Sequence, residues 1–401
     1  MMPSRSSRGA ASLGVATVFL TACGLSSCTS GSPSPAASSS SASDAPAASA
    51  STRPPAAQPS VTVSGSGDIL LHTAIGQEAA GYASAAGRKG YDFDPMFAQV
   101  RSAISAADLA LCHQETPIST TDTDLGVPGS LVFNVPREIA GTLKRAGYDG
   151  CDMASNHTID RGLAGMASTR RQLTDAGLKV SGPSADAKTS GKPAVYDVLG
   201  VQIAHLAYTY TFPNSDGPTT AVPSGAPWLR SSLWPAAGAR GIISDATAAK
   251  KAGAALVIVS IHWGREAVQQ PTADQVALAG ALTKSPAVDA IFGTHAHIVQ
   301  PCTELNGKFV FYGLGNFISN QGPGHGPQTE SNRDGVLAQI TFTRTASGRW
   351  TQRASYQPTY VNTTARHTVQ FSTPNSDAAS WKRTQRAMNA LRSCPAVADG
   401  S

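Results

Sequence analysis

Histidines and acidic residues in this chain fall just past stretches with the pattern of β-strands, and that placement is where its chemistry can be read. Gly67-Asp68, with His72 shortly after, closes one such stretch, and His113-Gln114-Glu115-Thr116-Pro117 closes a second. Ser155-Asn156-His157, followed by Asp160, closes a third. His262-Trp263-Gly264, with Glu266 close behind, closes a fourth, and Gly293-Thr294-His295-Ala296-His297 a fifth. In open α/β sheets, ligands bind beyond the carboxyl ends of strands, so residues there converge from distant sequence. A lone Asp after a strand is ordinarily a helix cap, and a lone buried His is ordinarily a satisfied core residue. Five such ends in one chain argue for a shared site.

Imidazoles and carboxylates with one amide, and no clustered thiols, suit Zn, Mn or Fe rather than a structural Cys-type zinc site. His295 and His297 flank a single residue, and on an extended segment they point to the same side. The supply of donors is enough for a centre of two divalent ions, which activates water and stabilises the charge that develops as it attacks.

The elements that must position these residues follow from periodicity. Residues 61–70, 108–113, 150–155, 255–261, 288–292, 309–312 and 336–344 read as strands, and residues 194–197 and 201–210 as a hairpin through Leu199-Gly200. Helices are expected over residues 94–107, where Phe97, Val100 and Ile104 keep helical spacing, and over 136–146, 162–176, 272–284 and 377–392. Continuous apolar strands alternating with helices imply a largely parallel sheet covered on both faces, with antiparallel strands late in the chain. One α/β domain is expected over residues 61–401.

The N-terminus has a targeting pattern. Arg5 and Arg8 precede a short run of small and apolar residues that ends in Leu20-Thr21-Ala22-Cys23, too short to span a bilayer as a mature helix. That ending resembles the lipobox of bacterial lipoproteins, with Cys23 as the acylated residue and Cys28 a weaker alternative. The expected anchor holds the chain on the outer face of the cell membrane. A Ser-, Ala- and Pro-rich stretch to residue 60 lacks the apolar side chains to offset its chain entropy. As a flexible tether it reaches roughly 30 Å. Cys112, Cys151, Cys302 and Cys394 form an even set for an oxidising compartment. Their connectivity is not fixed by sequence; Cys302–Cys394 is the favoured pair, and Cys112–Cys151 stands open against buried free thiols. The net charge of +5 is dispersed, with no run of five basic residues, so nucleic-acid binding has nothing specific behind it.

Six blocks in order resemble the CapA, or poly-γ-glutamate capsule-synthesis, family, itself similar to calcineurin-like metallophosphoesterases. They are Gly67-Asp68-Ile69-Leu70-Leu71, Ala107-Asp108-Leu109 leading to Glu115-Thr116-Pro117, Ser155-Asn156-His157-Thr158-Ile159-Asp160-Arg161-Gly162, His262-Trp263-Gly264-Arg265-Glu266, Gly293-Thr294-His295-Ala296-His297-Ile298-Val299-Gln300-Pro301, and Tyr312-Gly313-Leu314-Gly315-Asn316-Phe317. The resemblance covers about residues 61–320 and implies a layered mixed sheet covered by helices. It makes Asp68, Glu115, Asn156, His262, His295 and His297 the metal-binding set. His157 becomes the neighbouring imidazole that protonates a leaving group, with Asp160 orienting it or capping the next helix. Glu266 and Asn316 are expected near the site.

Departures from the family pattern stand beside these matches. Metallophosphoesterases usually open with Asp-x-His, whereas Ile69 and Leu70 follow Asp68, leaving His72 as a candidate to fold back. The second acid is Glu115 rather than Asp, His113 stands where many relatives carry Asn, and Ala296 where they often carry Pro. His205 and His325 are expected to be structural or solvent-exposed, with residues 321–327 a mobile rim.

Three functions compete on these grounds. One is a metallohydrolase acting on an anionic cell-envelope polymer such as poly-γ-glutamate. The second is a non-catalytic assembly or export factor working with other capsule-synthesis membrane proteins. The third is a solute-binding lipoprotein, which leaves the metal-competent strand ends without a reason.

Overall fold

A computed structural model describes residues 59–324, 328–364, 366–394 and 397–398. The targeting segment, Cys23, the tether and His325 lie outside the described residues.

The strands are β1 (Ser60–Ile69), β2 (Leu109–Gln114), β3 (Gly150–Asp152), β4 (Lys179–Ser181), β5 (Ala194–Val198), β6 (Val201–Thr209), β7 (Leu256–His262) and β8 (Ala290–Thr294). They continue with β9 (Cys302–Leu305), β10 (Lys308–Phe311), β11 (Asn316–Ile318), β12 (Asp334–Arg344), β13 (Trp350–Asn362), β14 (Thr368–Phe371) and β15 (Val397–Ala398). The helices are α1 (Thr73–Ala85), α2 (Asp94–Phe97), α3 (Arg101–Ser105), α4 (Glu138–Ala146), α5 (Gly162–Asp175), α6 (Trp234–Lys251), α7 (Ala273–Lys284) and α8 (Ala378–Met388).

These strands form two mixed sheets rather than one. The first runs β14-β13-β12-β1-β2-β3-β4, with β11 beside β1 and β15 beside β13. The second runs β5-β6-β7-β8-β10-β9. Neighbours β1, β2, β3 and β4 are parallel, as are β6, β7, β8 and β10, while β12, β13 and β14 are antiparallel as the late strands predicted.

Strand parity explains why a single apolar run serves two layers, because successive side chains point to opposite faces. On β7, Leu256 and Ile258 join a cluster with Val61, Val63, Leu109 and Leu111 of the first sheet. The alternate residues Val257, Val259 and Ile261 pack instead with Ile242 and Ala246 of α6 and Leu278 and Leu282 of α7. On β2, Leu109 and Leu111 face the other sheet, while Ala110 and Cys112 pack with Ile104, Ile139 and Leu143 from the helices outside. The layered α/β expectation holds, with two sheets face to face and helices on the outer faces.

The predicted helix over 94–107 is two short helices, α2 and α3. Phe97, Val100 and Ile104 are all buried, so the spacing marked the correct inward side chains, and a turn between two short helices satisfies it as well as one helix does. Thr272 caps α7 through a reciprocal capping box with Gln275, and Gly147 ends α4 in the left-handed region. Helices α1 and α6 were not anticipated. Disulfides join Cys112 to its register partner Cys151 across β2 and β3, and Cys302 on β9 to Cys394 beyond α8. Among the described residues, no helix is long and apolar enough to cross a membrane.

Candidate metal centre

The strand ends of both sheets meet at one end of the slab between them. On the first sheet, register sets Asp68 beside His113 of β2 on one side and Asn316 of β11 on the other. His113 in turn lies beside Asp152 of β3. The close approach of chains here requires glycine: a Cβ on Gly67 would lie 2.0 Å from the carbonyl oxygen of Gly315. Glu115 stands one residue past β2, and Asn156 and His157 occupy the turn after β3.

On the second sheet, His262 ends β7 opposite Thr294 of β8, whose Oγ1 lies 3.1 Å from His262 Nδ1. His295 and His297 follow on a turn with φ of 90° and 53°. A non-glycine residue in that region costs on the order of 1–3 kcal/mol and persists only where surroundings enforce it. Part of that enforcement is visible. The His295 backbone N–H donates to both carboxylate oxygens of Asp68, at 3.2 and 3.3 Å. A Cβ on Gly293 would lie 2.0 Å from the Tyr312 carbonyl oxygen.

Side chains from the two sheets interlock. His297 Nδ1 is 3.1 Å from Asp68 Oδ2 and 3.0 Å from Asn316 Oδ1, and its Nε2 is 3.6 Å from Glu115 Oε1. His262 Nε2 lies 2.9 Å from Asn156 Oδ1 and 3.8 Å from Glu115 Oε1. His113 Nε2 is 3.8 Å from Asp68 Oδ1. The His113 and His262 rings stack at 4.8 Å, and Tyr210 covers His295 at 4.4 Å. Donor atoms gather within 4.8 Å of one another in three groups: Asp68, His113 and His262; Asp68, Glu115 and His297; and Glu266, His295 and His297.

Several of these atoms are buried with no hydrogen-bond partner among the described residues. They are both carboxylate oxygens of Glu115, Nε2 of His113 and Nδ1 of His295. A buried polar atom left unpaired costs about 1–3 kcal/mol, more if charged. Burial pushes the Glu115 carboxyl up to about 7, opposed by His297 and reinforced by Asp68. Burial also lowers His262 and His295 well below the usual imidazole range, with the neighbouring imidazoles adding to it. Neutral imidazoles beside a carboxylate held up by burial are what a cation would relieve, so these residues fit a divalent metal site.

Two imidazoles behave oppositely. Burial pushes His113 down, but Asp152, 2.7 Å from its Nδ1, with Asp68 and Glu115 outweighs it and raises the group to about 9. His297 is likewise disfavoured by burial, yet Glu115 and Asp68 raise it to about 10.

The other predicted residues are placed as follows. His157 is 5% exposed; its Nδ1 lies 2.9 Å from Asp160 Oδ2, and Phe133 packs edge-on at 4.7 Å. Asp160 also accepts from the Phe133 backbone N–H at 2.8 Å; it orients His157, and Arg161 holds the cap position of α5. Glu266 is exposed at the rim of the cluster. Asn316 holds His297 through Oδ1 and donates from Nδ2 to the Asn332 carbonyl at 2.8 Å. His72 belongs to none of the three donor groups among the described residues. It stands at the cap of α1, edge-on to Phe133 at 5.2 Å, and lines an apolar cavity of about 180 Å³ with Leu71, Tyr91 and Val127.

The sequence reading placed His113 at a strand end without including it in the ligand set, and did not single out Asp152 or Tyr210. The available signal for His113 was parity: it continues Leu109 and Leu111 on the face turned toward the other sheet, at the same strand end that bears Glu115.

Fold and site define a layered α/β protein with a cluster of side chains fit for a divalent metal at the shared end of its two sheets. The chain belongs to the bacterial capsule synthesis protein family PGA_cap, whose profile matches residues 62–321. It is 28% identical over 258 residues to the PGA biosynthesis protein CapA of Bacillus subtilis, covering 64% of this chain and 63% of that one. It is 29% identical over 234 residues to the capsule biosynthesis protein CapA of Bacillus anthracis, covering 58% and 55%. The chain thus spans less than two thirds of the length of these relatives. The solved calcineurin-like phosphoesterase YfkN of Bacillus subtilis aligns over 84% of this chain and 99% of its own, with 14% identity and a TM-score of 0.37.

Proposed function

We propose that this chain is a metal-dependent hydrolase, lipid-anchored through Cys23 to the outer face of the cell membrane, that cuts an anionic cell-envelope polymer of the poly-γ-glutamate kind. The observation that carries it is the cluster of buried donor atoms at the meeting of the two sheets that lack a hydrogen-bond partner among the described residues. Asp68, Glu115, Asn156, His262, His295 and His297 would hold two ions of Mn, Fe or Zn. When bound, such ions activate a water and stabilise the charge that develops on the attacked group.

The chain's own residues do the rest. Asp160 fixes Nδ1 of His157, which supports Nε2 as the atom that gives a proton to the leaving group. Asn316 and Asp68 hold the His297 ring between them. Other capsule-synthesis membrane proteins are the proposed partners.

The test is chain-shortening of labelled poly-γ-glutamate by the metal-reconstituted protein. His157→Gln should lower kcat by roughly 10²–10⁴-fold with metal content unchanged. No shortening above a buffer control by the fully loaded protein would sink the proposal. A second reading, a non-catalytic biosynthesis factor, is favoured by the biosynthesis names of the relatives. It requires cells carrying His157→Gln to make and export polymer as the parent does.

A further inference from the structure

Resting on the metal reading above, we infer that His113 is itself a ligand, coordinating through Nε2 an ion shared with Asp68 and His262, and that Asp152 is the positioning residue that aims it. Asp68 is followed by Ile69 and Leu70, both buried and apolar, so no imidazole comes from the end of its own strand. The neighbouring strand supplies one. His113 is the Cα register partner of Asp68, and its parity on β2 turns the ring into the slab between the sheets, where it stacks on His262.

Three observations point from this ring to a cation. Donor atoms of Asp68, His113 and His262 lie within 4.8 Å of one another, all three residues being buried. Nε2 of His113 is buried and has no hydrogen-bond partner among the described residues, although Asp68 Oδ1 stands 3.8 Å away. The opposite ring nitrogen is engaged by Asp152 at 2.7 Å, and Asp152 also accepts from the Ala154 backbone N–H at 3.3 Å. A carboxylate on one nitrogen fixes the tautomer that leaves the other nitrogen's lone pair free to bind metal. A histidine kept for packing alone needs no such carboxylate behind it. The chemistry of the donor set, two imidazoles and one carboxylate, selects a first-row transition ion over Mg or Ca.

The experiment is competition of Zn(II) against a chromophoric chelator, with a parallel Co(II) absorption spectrum, on the full chain purified in detergent. His113→Asn is expected to weaken one equivalent of Zn(II) by about a hundredfold or more. Asp152→Asn, which keeps the side-chain volume, should weaken the same equivalent by roughly 10- to 100-fold; it also serves where His113→Asn does not fold. Both variants should alter the Co(II) spectrum and leave the other equivalent in place. Parent affinity and an unchanged Co(II) spectrum in folded variants would overturn the role of His113 while leaving the metal reading intact. A parent chain that binds neither ion overturns both.

Discussion

The slab between the two sheets holds buried histidines at two levels, and their ring nitrogens meet different partners. Deeper in the slab, His205 on β6 is fully buried, with Nε2 2.8 Å from the Ser260 hydroxyl. At the strand ends, His113 is equally buried but has Asp152 on one nitrogen and Asp68 near the other. Burial acts in the same direction on both rings. It holds His205 down at about 4, whereas the carboxylates carry His113 up to about 9. Residue type and burial are therefore not what distinguishes a core histidine from a site histidine; the partner of each ring nitrogen is.

Breaking the upper level should give the largest effect. The Asp68→Ala, His295→Ala double variant should lose bound metal, and with it the stabilisation of the folded state by added ion. That stabilisation amounts to about 4 kcal/mol at a free-ion concentration a thousand times the Kd. Denaturant unfolding of parent and variant, with and without Zn(II), measures it. An equal ion-induced gain in both would erase the distinction between the two levels.

The lower level predicts an acid effect with a definite sign. The folded-state value of His205 is depressed, so its contribution is complete above pH 6.5 and lost as pH falls through 4, roughly 3 kcal/mol in all. In His205→Gln the metal-free protein should lose less stability between those pH values than the parent does, by about that amount. Matching acid limbs from denaturant titrations would show that His205 is not held neutral. The smallest expected change belongs to Ser260→Ala, which removes the hydrogen-bond partner of His205 Nε2 and should cost about 1 kcal/mol at neutral pH. Its metal affinity should equal that of the parent, and a loss of affinity would tie the lower level to the site.

Much of the site was legible because strand ends collect donors wherever apolar runs stop. Asp68, Glu115, Asn156, His262, His295 and His297 all lie at such stops, and the structure brings their side chains together. His72 also follows a stop, yet α1 begins at the next residue and carries the chain away from the cluster. His113 was read at a strand end but left out of the ligand set, because it stands where many relatives carry Asn. What the sequence left undecided was the partition into two sheets. A run such as residues 255–261 is apolar on both faces whether the second face meets helices or another sheet, and periodicity does not tell these apart. The turn that raises φ at His295 and His297 was likewise hidden, since an extended segment would also set both rings on one side.

The most direct test of the metal centre is elemental analysis of the purified full chain after reconstitution with Mn, Fe or Zn, beside the Asp68→Ala, His295→Ala variant. About two equivalents of a transition ion are expected in the parent and little in the variant. A parent chain that holds no ion would contradict this expectation.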